Sequence, residues 1–185
     1  MSGDRIFLLT GYPGSGKTTA MVKAVDMLKE RGVSVDGFVT LEVRERGSRV
    51  GFKAIDLTTG VSCWLAKLGA EGNMRVGRYT LLLHDFEILY SNVFDRSRSI
   101  AQVVAVDEIG PMEMRSPLFL PAVRDQINAG KILLATIHRS IHGSSKSLLG
   151  RTDIMSWEVN QTNRELLPSL ICDQIERSLR TEHSL

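Results

Sequence analysis

The sequence predicts an α/β protein with a mostly parallel central sheet flanked by helices. Three observations carry this. Residues 5–10 form an apolar run that passes through a glycine-rich loop directly into a helical pattern. A second apolar run, 103–106, ends in Asp107-Glu108, and a third, 132–137, follows another helical pattern. Runs that are apolar in succession belong to strands covered on both faces, as strands between two helix layers are. An alternating stretch over about 37–65 adds an antiparallel β-meander. The 185 residues suffice for one domain with a substantial core. No repeat or low-complexity linker divides them, so 1–185 reads as a single domain.

The first strand carries Ile6, Phe7, Leu8 and Leu9. It ends at Gly11-Tyr12-Pro13-Gly14-Ser15-Gly16-Lys17-Thr18-Thr19, which fits Gly-x-x-x-x-Gly-Lys-Ser/Thr without a mismatch. Gly11, Gly14 and Gly16 let backbone wrap closely around a phosphate. Amides of about residues 14 to 18 then form a nest of donors, and the helix that begins near Lys17 adds its N-terminal dipole. Lys17 can bridge β- and γ-phosphates, and the Thr18 hydroxyl is placed for Mg²⁺. That helix is expected over 17–31, with Met21, Val25 and Leu28 in one stripe beside Ala24 and with Gly32 ending it.

The meander is expected as three strands over 37–44, 49–57 and 61–65. Val39, Leu41 and Val43 share one face, and Phe38, Thr40, Glu42 and Arg44 the other. Glu42 and Arg44 therefore either look toward a ligand or form a surface ion pair with Arg46 or Arg49. Residues 66–75 read as a loop, 76–83 as a strand and 85–98 as a helix with Phe86, Leu89, Tyr90 and Val93 inward. Asp95-Arg96-Ser97-Arg98 reads as its solvated end.

The second motif is Val103-Val104-Ala105-Val106-Asp107-Glu108-Ile109-Gly110. Downstream of an intact phosphate loop this is a Walker B pattern. Asp107 would hold Mg²⁺ with Thr18, usually through a water. Glu108 would polarise an attacking water, and strand alternation is expected to send the two acids opposite ways. Glu113 reads toward solvent, with approach to the site as the alternative. A helix is expected over 117–130, with Phe119, Val123 and Ile127 inward. The strand 132–137 then brings Thr136 and His138 to its tip, as γ-phosphate sensors or as capping and packing groups. Residues 139–151, basic and serine-rich, read as a mobile loop, with a lid as the alternative, in which Arg139 or Arg151 supplies transition-state charge or stays solvated. A last strand is expected over 154–159. Thr162 and Glu165 have capping-box spacing, but Pro168 favours a later helix start. That start leaves Asn163 and Arg164 in a turn, free to meet a base or phosphate. Leu170, Ile171, Ile175 and Leu179 are expected to pack the final helix, and the tail after Arg180 is expected to fray.

Composition excludes little else. A net charge of +2 demands neither nucleic acid nor an acidic membrane as partner. No stretch reaches membrane-span length, and the N-terminal apolar run is too short for a signal peptide. Cys63 and Cys172 match no metal or redox spacing and read as reduced, packed thiols. The expectation is a cytoplasmic monomer whose partners are nucleoside triphosphates, with nucleic acid disfavoured.

The chain resembles the THEP-type nucleoside-triphosphatase family of P-loop proteins, whose animal members are called cancer-related nucleoside-triphosphatases. The resemblance spans nearly the whole chain. It rests on Gly11 to Thr18, the 37–44 strand with Arg49-Val50-Gly51-Phe52, and Val76-Gly77-Arg78-Tyr79. It rests equally on Val106 to Gly110 with Met112-Glu113 and Ser116, on Ala135-Thr136-Ile137-His138, and on Thr162-Asn163-Arg164. Met114-Arg115 stand where the family often has an aliphatic residue and Phe. The serine-rich stretch after His138 stands where a Pro-Phe pair is expected. The resemblance implies a RecA-like core and slow, Mg²⁺-dependent hydrolysis of ATP, GTP, CTP and UTP to the diphosphate.

Candidate roles follow. Gly11 to Thr19, Asp107, Glu108 and Gly110 bind nucleotide, joined by Asn163 and Arg164. Thr18 and Asp107 hold Mg²⁺; Glu108 and Lys17 are catalytic. One arginine among Arg44, Arg139, Arg151 and Arg164 stabilises developing charge. Two rivals remain at this point: a nucleotide or nucleoside kinase, and an NTP-dependent switch module.

Overall fold

The computed structural model describes residues 4–182. Its elements are β1 (Ile6–Thr10), α1 (Lys17–Glu30), β2 (Val35–Glu45), β3 (Ser48–Asp56) and β4 (Ser62–Lys67). Then come β5 (Arg75–Val76), β6 (Tyr79–Leu81), α2 (Leu83–Ile100), β7 (Val103–Ile109) and a 3₁₀ turn (Glu113–Arg115). The chain finishes with α3 (Phe119–Asn128), β8 (Ile132–Ile137), α4 (Arg139–His142), α5 (Ser145–Leu149), β9 (Ile154–Glu158) and α6 (Leu167–Glu182).

Among the described residues the strands form one sheet in the order β5-β6-β4-β3-β2-β7-β8-β1-β9. β2, β7, β8, β1 and β9 run parallel, while β3, β4, β6 and β5 extend the sheet antiparallel. A single strand, β8, separates β1 from β7. The loops after β1 and β7 therefore open at the same end of the sheet, with a crevice between them.

Helices cover both faces, as the continuous apolar runs require. α1 and α6 bury Met21, Val25, Leu28, Ile171 and Ile175 against Phe7, Leu9, Ala105 and Leu134. On the other face α2 and α3 bury Phe86, Tyr90, Val93, Phe119 and Val123 against Ile6, Leu8, Phe38 and Val104. The rings there pack edge-on or tilted, with Phe86 and Tyr90 at 5.1 Å between centroids. Such pairs add about 0.5–1.5 kcal/mol each beyond the area they bury.

Several local expectations need correction. The 37–44 strand is the second half of a longer core strand. β2 pairs in parallel with β7 over Val35–Phe38 and only then hairpins with β3. Gly37 makes the junction possible: at φ 150° a Cβ there would lie 2.0 Å from the Ala105 carbonyl oxygen. The 76–83 strand is instead a β5–β6 hairpin that turns at Gly77, followed at once by α2. The end of α2 is not solvated, because Ser97 is buried and Arg96 reaches across to Asp36 and Asp56. Residues 139–151 form two short helices in place of a loop. Leu149 anchors them in the core, and Arg124 donates to the carbonyls of Leu148 and Ser147.

α6 starts at Leu167 with Pro168 in its first turn, as proline's fixed φ favours. Leu170 is exposed, and Cys172 takes an inward place beside Ile171. Thr181 and Glu182 continue the helix; the rest of the tail expected to fray lies outside the described residues. Cys63 and Cys172 are free thiols, and burial pushes both up to about 11. No helix among the described residues is long and apolar enough to cross a membrane.

Candidate active site

β1 ends with its amides turned into the loop before α1. Gly11 has φ 144°, and a Cβ there would stand 2.6 Å from the Val159 carbonyl oxygen. Only glycine lets the loop leave β1 that close to the end of β9. Gly16, at φ 100°, then precedes the first turn of α1, whose free amides face the crevice. The Lys17 ammonium donates to the Gly11 and Tyr12 carbonyls at 3.2 and 3.3 Å, curling over the loop's hollow. A lysine held there by two backbone carbonyls is ready to exchange them for phosphate oxygens.

Asp107 sits at the tip of β7, buried. It accepts from the Thr18 hydroxyl at 2.9 and 3.1 Å, from the Thr40 amide at 3.3 Å and from the Thr136 hydroxyl. Three strands and one helix thus meet on a single carboxylate. Burial raises the Asp107 carboxyl above its ordinary value, against the pull of the Thr136 and Thr18 hydroxyls. A hydroxyl and a carboxylate in contact form a hard-oxygen pair of the kind Mg²⁺ takes, so the residues fit the ion the sequence implies.

The alternation expected of Asp107 and Glu108 does not take the two acids to separate sites. The β7–β8 register breaks between Val106 and Ile109, and both acids line one cavity. Burial and then the Asp107 carboxylate push Glu108 up to about 7, against the pull of the Lys17 ammonium. Glu113 lies at the site and not in solvent, correcting its sequence reading. The 3₁₀ turn folds it back beneath Gly110, where it is only 3% exposed. Burial raises it well above its ordinary value. A Cβ on Gly110 would stand 2.7 Å from Glu108 Oε1 and 2.9 Å from Glu113 Oε2, so the two carboxyls converge over that glycine.

The cavity has a volume of about 980 Å³. Gly11, Pro13, Gly14, Lys17, Thr18 and Thr19 line one side. Thr40, Glu42, Arg49 and Phe52 line the other, with Asp107, Glu108 and Glu113 between. Thr136 reaches Asp107 from the tip of β8, whereas His138 serves in a second way: it lines the cavity and its Nδ1 caps α4 through Ser140.

The candidate arginines separate. Arg44 lies at the β2–β3 hairpin, 60% exposed, bound to Glu42 and the Gly47 carbonyl, and is not among the cavity-lining residues. Arg151 is held bidentate by Asp153, also outside the lining residues. Arg139 lines the cavity, with its guanidinium 3.9 Å from the centre of the Tyr12 ring. Arg164 covers the start of α1, its Cδ 3.3 Å from where a Gly16 Cβ would be. Asn163 sits beside it, engaged with the Glu158 carbonyl and the Asn160 amide.

Sequence reading missed Arg49, Phe52 and Thr40. The alternation placed Thr40 and Glu42 on one face but could not say that this face meets the phosphate loop. Only the parallel pairing of β2 with β7 brings it there.

A sequence model of the NTPase family matches residues 6–172. The nucleoside-triphosphatase THEP1 of Thermofilum pendens is 49% identical over 171 residues, covering 91% of this chain and 94% of that protein. That of Saccharolobus solfataricus is 37% identical over 179 residues, covering 95% and 94%. Two solved structures are similar. The solution structure of a human cancer-related nucleoside triphosphatase has a TM-score of 0.75 at 39% identity, over 90% of this chain and 95% of that one. The crystal structure of THEP1 from Aquifex aeolicus has a TM-score of 0.76 at 28% identity, over 92% and 99%. With motifs, topology and relatives in agreement, this chain belongs to the THEP1-type nucleoside-triphosphatase family.

Proposed function

We propose that this protein hydrolyses nucleoside 5′-triphosphates to the diphosphate and phosphate, with Mg²⁺, broad base tolerance and slow turnover, on a RecA-like core. The observation that carries the reading is the contact of Thr18 with Asp107 at the mouth of the phosphate loop, with Glu108 lining the same cavity.

Loop amides and Lys17 hold the β- and γ-phosphates. The Thr18 hydroxyl and Asp107 would hold Mg²⁺, which would neutralise charge on those phosphates and polarise the γ-phosphorus. Thr136 and the Thr40 amide fix the Asp107 carboxylate in place. Glu108 orients a water in line with the γ-phosphate and takes its proton; a carboxyl raised to about 7 suits that exchange near neutral pH. Arg139, beside the loop and held partly by Glu158 at 3.3 Å, is the arginine placed to meet developing charge. Arg164 sits where the nucleoside end leaves the loop. Broad base tolerance fits Asn163 being engaged by backbone and so not free to read a base edge.

Steady-state phosphate release from ATP, GTP, CTP and UTP, with Mg²⁺ and with EDTA, tests the reading. Release from all four, abolished by EDTA, is expected. Absence of release with Mg²⁺ would overturn it.

A further inference from the structure

The cavity is larger than a polyphosphate requires, and the sheet order shows which part is left over. Thr18 and Asp107 contact each other on the β7 side of the loop, so the γ-phosphate end of a bound nucleotide points toward β7. β9 lies on the opposite flank of β1, and there Arg164 covers Gly16. The nucleoside end therefore leaves toward the β9–α6 turn. The half of the cavity beyond the γ-phosphate, under β2 and β3, is not needed by the nucleotide.

That half has a defined chemistry. Leu41, Phe52, Val76 and Met112 give it apolar walls. Arg49 is fixed within it: Nη1 donates to Glu42 Oε2 at 2.8 Å, Nε donates to the Tyr79 hydroxyl at 2.8 Å, and the guanidinium carbon lies 5.4 Å from the Phe52 ring centre. Glu108 and Glu113 converge over Gly110 between the two halves. Glu108, at that junction and lining the cavity, is placed to receive a proton from a hydroxyl.

We propose that this half of the cavity binds a hydroxyl-bearing ring compound of the nucleoside class, seated beyond the γ-phosphate as a phosphoryl acceptor. The inference rests on the NTP-binding reading of the phosphate-loop half. The planar base lies against Phe52 beside Arg49, and a sugar hydroxyl faces Glu108. The hydroxyl oxygen forms a bond to the γ-phosphorus. The bond from that phosphorus to the β,γ-bridging oxygen breaks, and its electron pair leaves on the nucleoside diphosphate. The hydroxyl proton passes to a Glu108 carboxylate oxygen. When the half is empty, water occupies the same line of attack and the outcome is hydrolysis.

The test uses the full chain with Mg²⁺ and ATP labelled in the γ-phosphate, with adenosine, guanosine, cytidine or uridine added in turn. The label is partitioned between orthophosphate and nucleoside monophosphate. At least one nucleoside should become labelled, and Phe52→Leu should raise its half-saturating concentration about 10-fold. Leu41→Glu, at a position 41% exposed, should do the same by replacing an apolar wall of the acceptor half with a hydrated charge. Label found only in orthophosphate, at a rate no nucleoside alters, overturns the acceptor site and leaves the phosphohydrolase reading standing. Transfer that neither variant weakens overturns the placement. Loss of no label from ATP under any condition overturns both readings.

Discussion

Thr18 and Asp107, 89 residues apart in sequence, are joined by hydrogen bonds of 2.9 and 3.1 Å. The contact links the first turn of α1 to the tip of β7 across the crevice that β8 creates. On the proposed reading it marks where Mg²⁺ would sit. Thr18→Val keeps the side chain's shape and removes the donor. The half-saturating Mg²⁺ concentration for phosphate release should rise by about 10-fold or more, as loss of an ion's hydroxyl partner does. A magnesium titration of the variant checks this.

Among the described residues the Lys17 ammonium donates to the Gly11 and Tyr12 carbonyls at 3.2 and 3.3 Å. Lys17→Ala should therefore leave the melting temperature within about 2 °C, while ATP affinity falls about 100-fold with the loss of charge-assisted bonds. Calorimetric titration with MgATP and a thermal melt give both numbers.

The arginines should separate by position. Arg139→Ala should lower kcat by about 100-fold or more, since an arginine on developing charge contributes about 10³ to 10⁵. Arg44→Ala should change kcat less than about 2-fold, because its side chain is 60% exposed at the hairpin. Steady-state kinetics on the pair decide whether the site's charge comes from the loop side or the meander side.

The Arg96 network should shape acid stability. Arg96 Nη2 lies 2.6 Å from Asp36 and 2.8 Å from Asp56, tying α2 to β2 and to the end of β3. Burial pushes both carboxyls up, but the guanidinium and neighbouring hydroxyls and amides outweigh it and hold them below the usual range. With folded values below the unfolded ones, unfolded chains take up more protons as pH falls. Stability from this network is complete above about pH 4 and drains away below it. Arg96→Met should cost about 3 kcal/mol at pH 7, because it strands two buried carboxylates, and the loss should shrink toward pH 3. Urea titrations from pH 3 to 7 measure both effects.

Backbone crowding gives a stability prediction of another kind. Gly37→Ala places a Cβ 2.0 Å from the Ala105 carbonyl oxygen and forces β2 away from β7. A loss of about 3 kcal/mol or more is expected from chemical denaturation.

Much of this architecture was legible in the chain. The phosphate loop, the start of α1 at Lys17 and the apolar strands at β1, β7 and β8 follow from local spacing, because a buried parallel strand and a glycine-rich loop each leave a contiguous trace. What escaped depends on pairing between distant segments. β2 alternates like a hairpin strand throughout, so nothing local marks its first four residues as a partner of β7. The joint exposure of Asp107 and Glu108 to one cavity needs a break in the β7–β8 register, which no residue type signals. Glu113 is acidic in a loop sequence, and solvent is the natural reading until a 3₁₀ turn packs it beneath Gly110. Arg44 is a candidate by its face and charge. It lies beside the β2–β3 turn, and its partner across the hairpin, Arg49, is the arginine that lines the cavity.

The claim that Glu108 activates the attacking water is met most directly by Glu108→Gln. ATP binding and single-turnover hydrolysis should be measured on the same preparation with Mg²⁺. MgATP affinity should stay within about 2-fold of the parent, with hydrolysis slowed by about 10² to 10⁴ as expected for loss of a general base. Hydrolysis at the parent rate would contradict the claim and remove Glu108 from the mechanism.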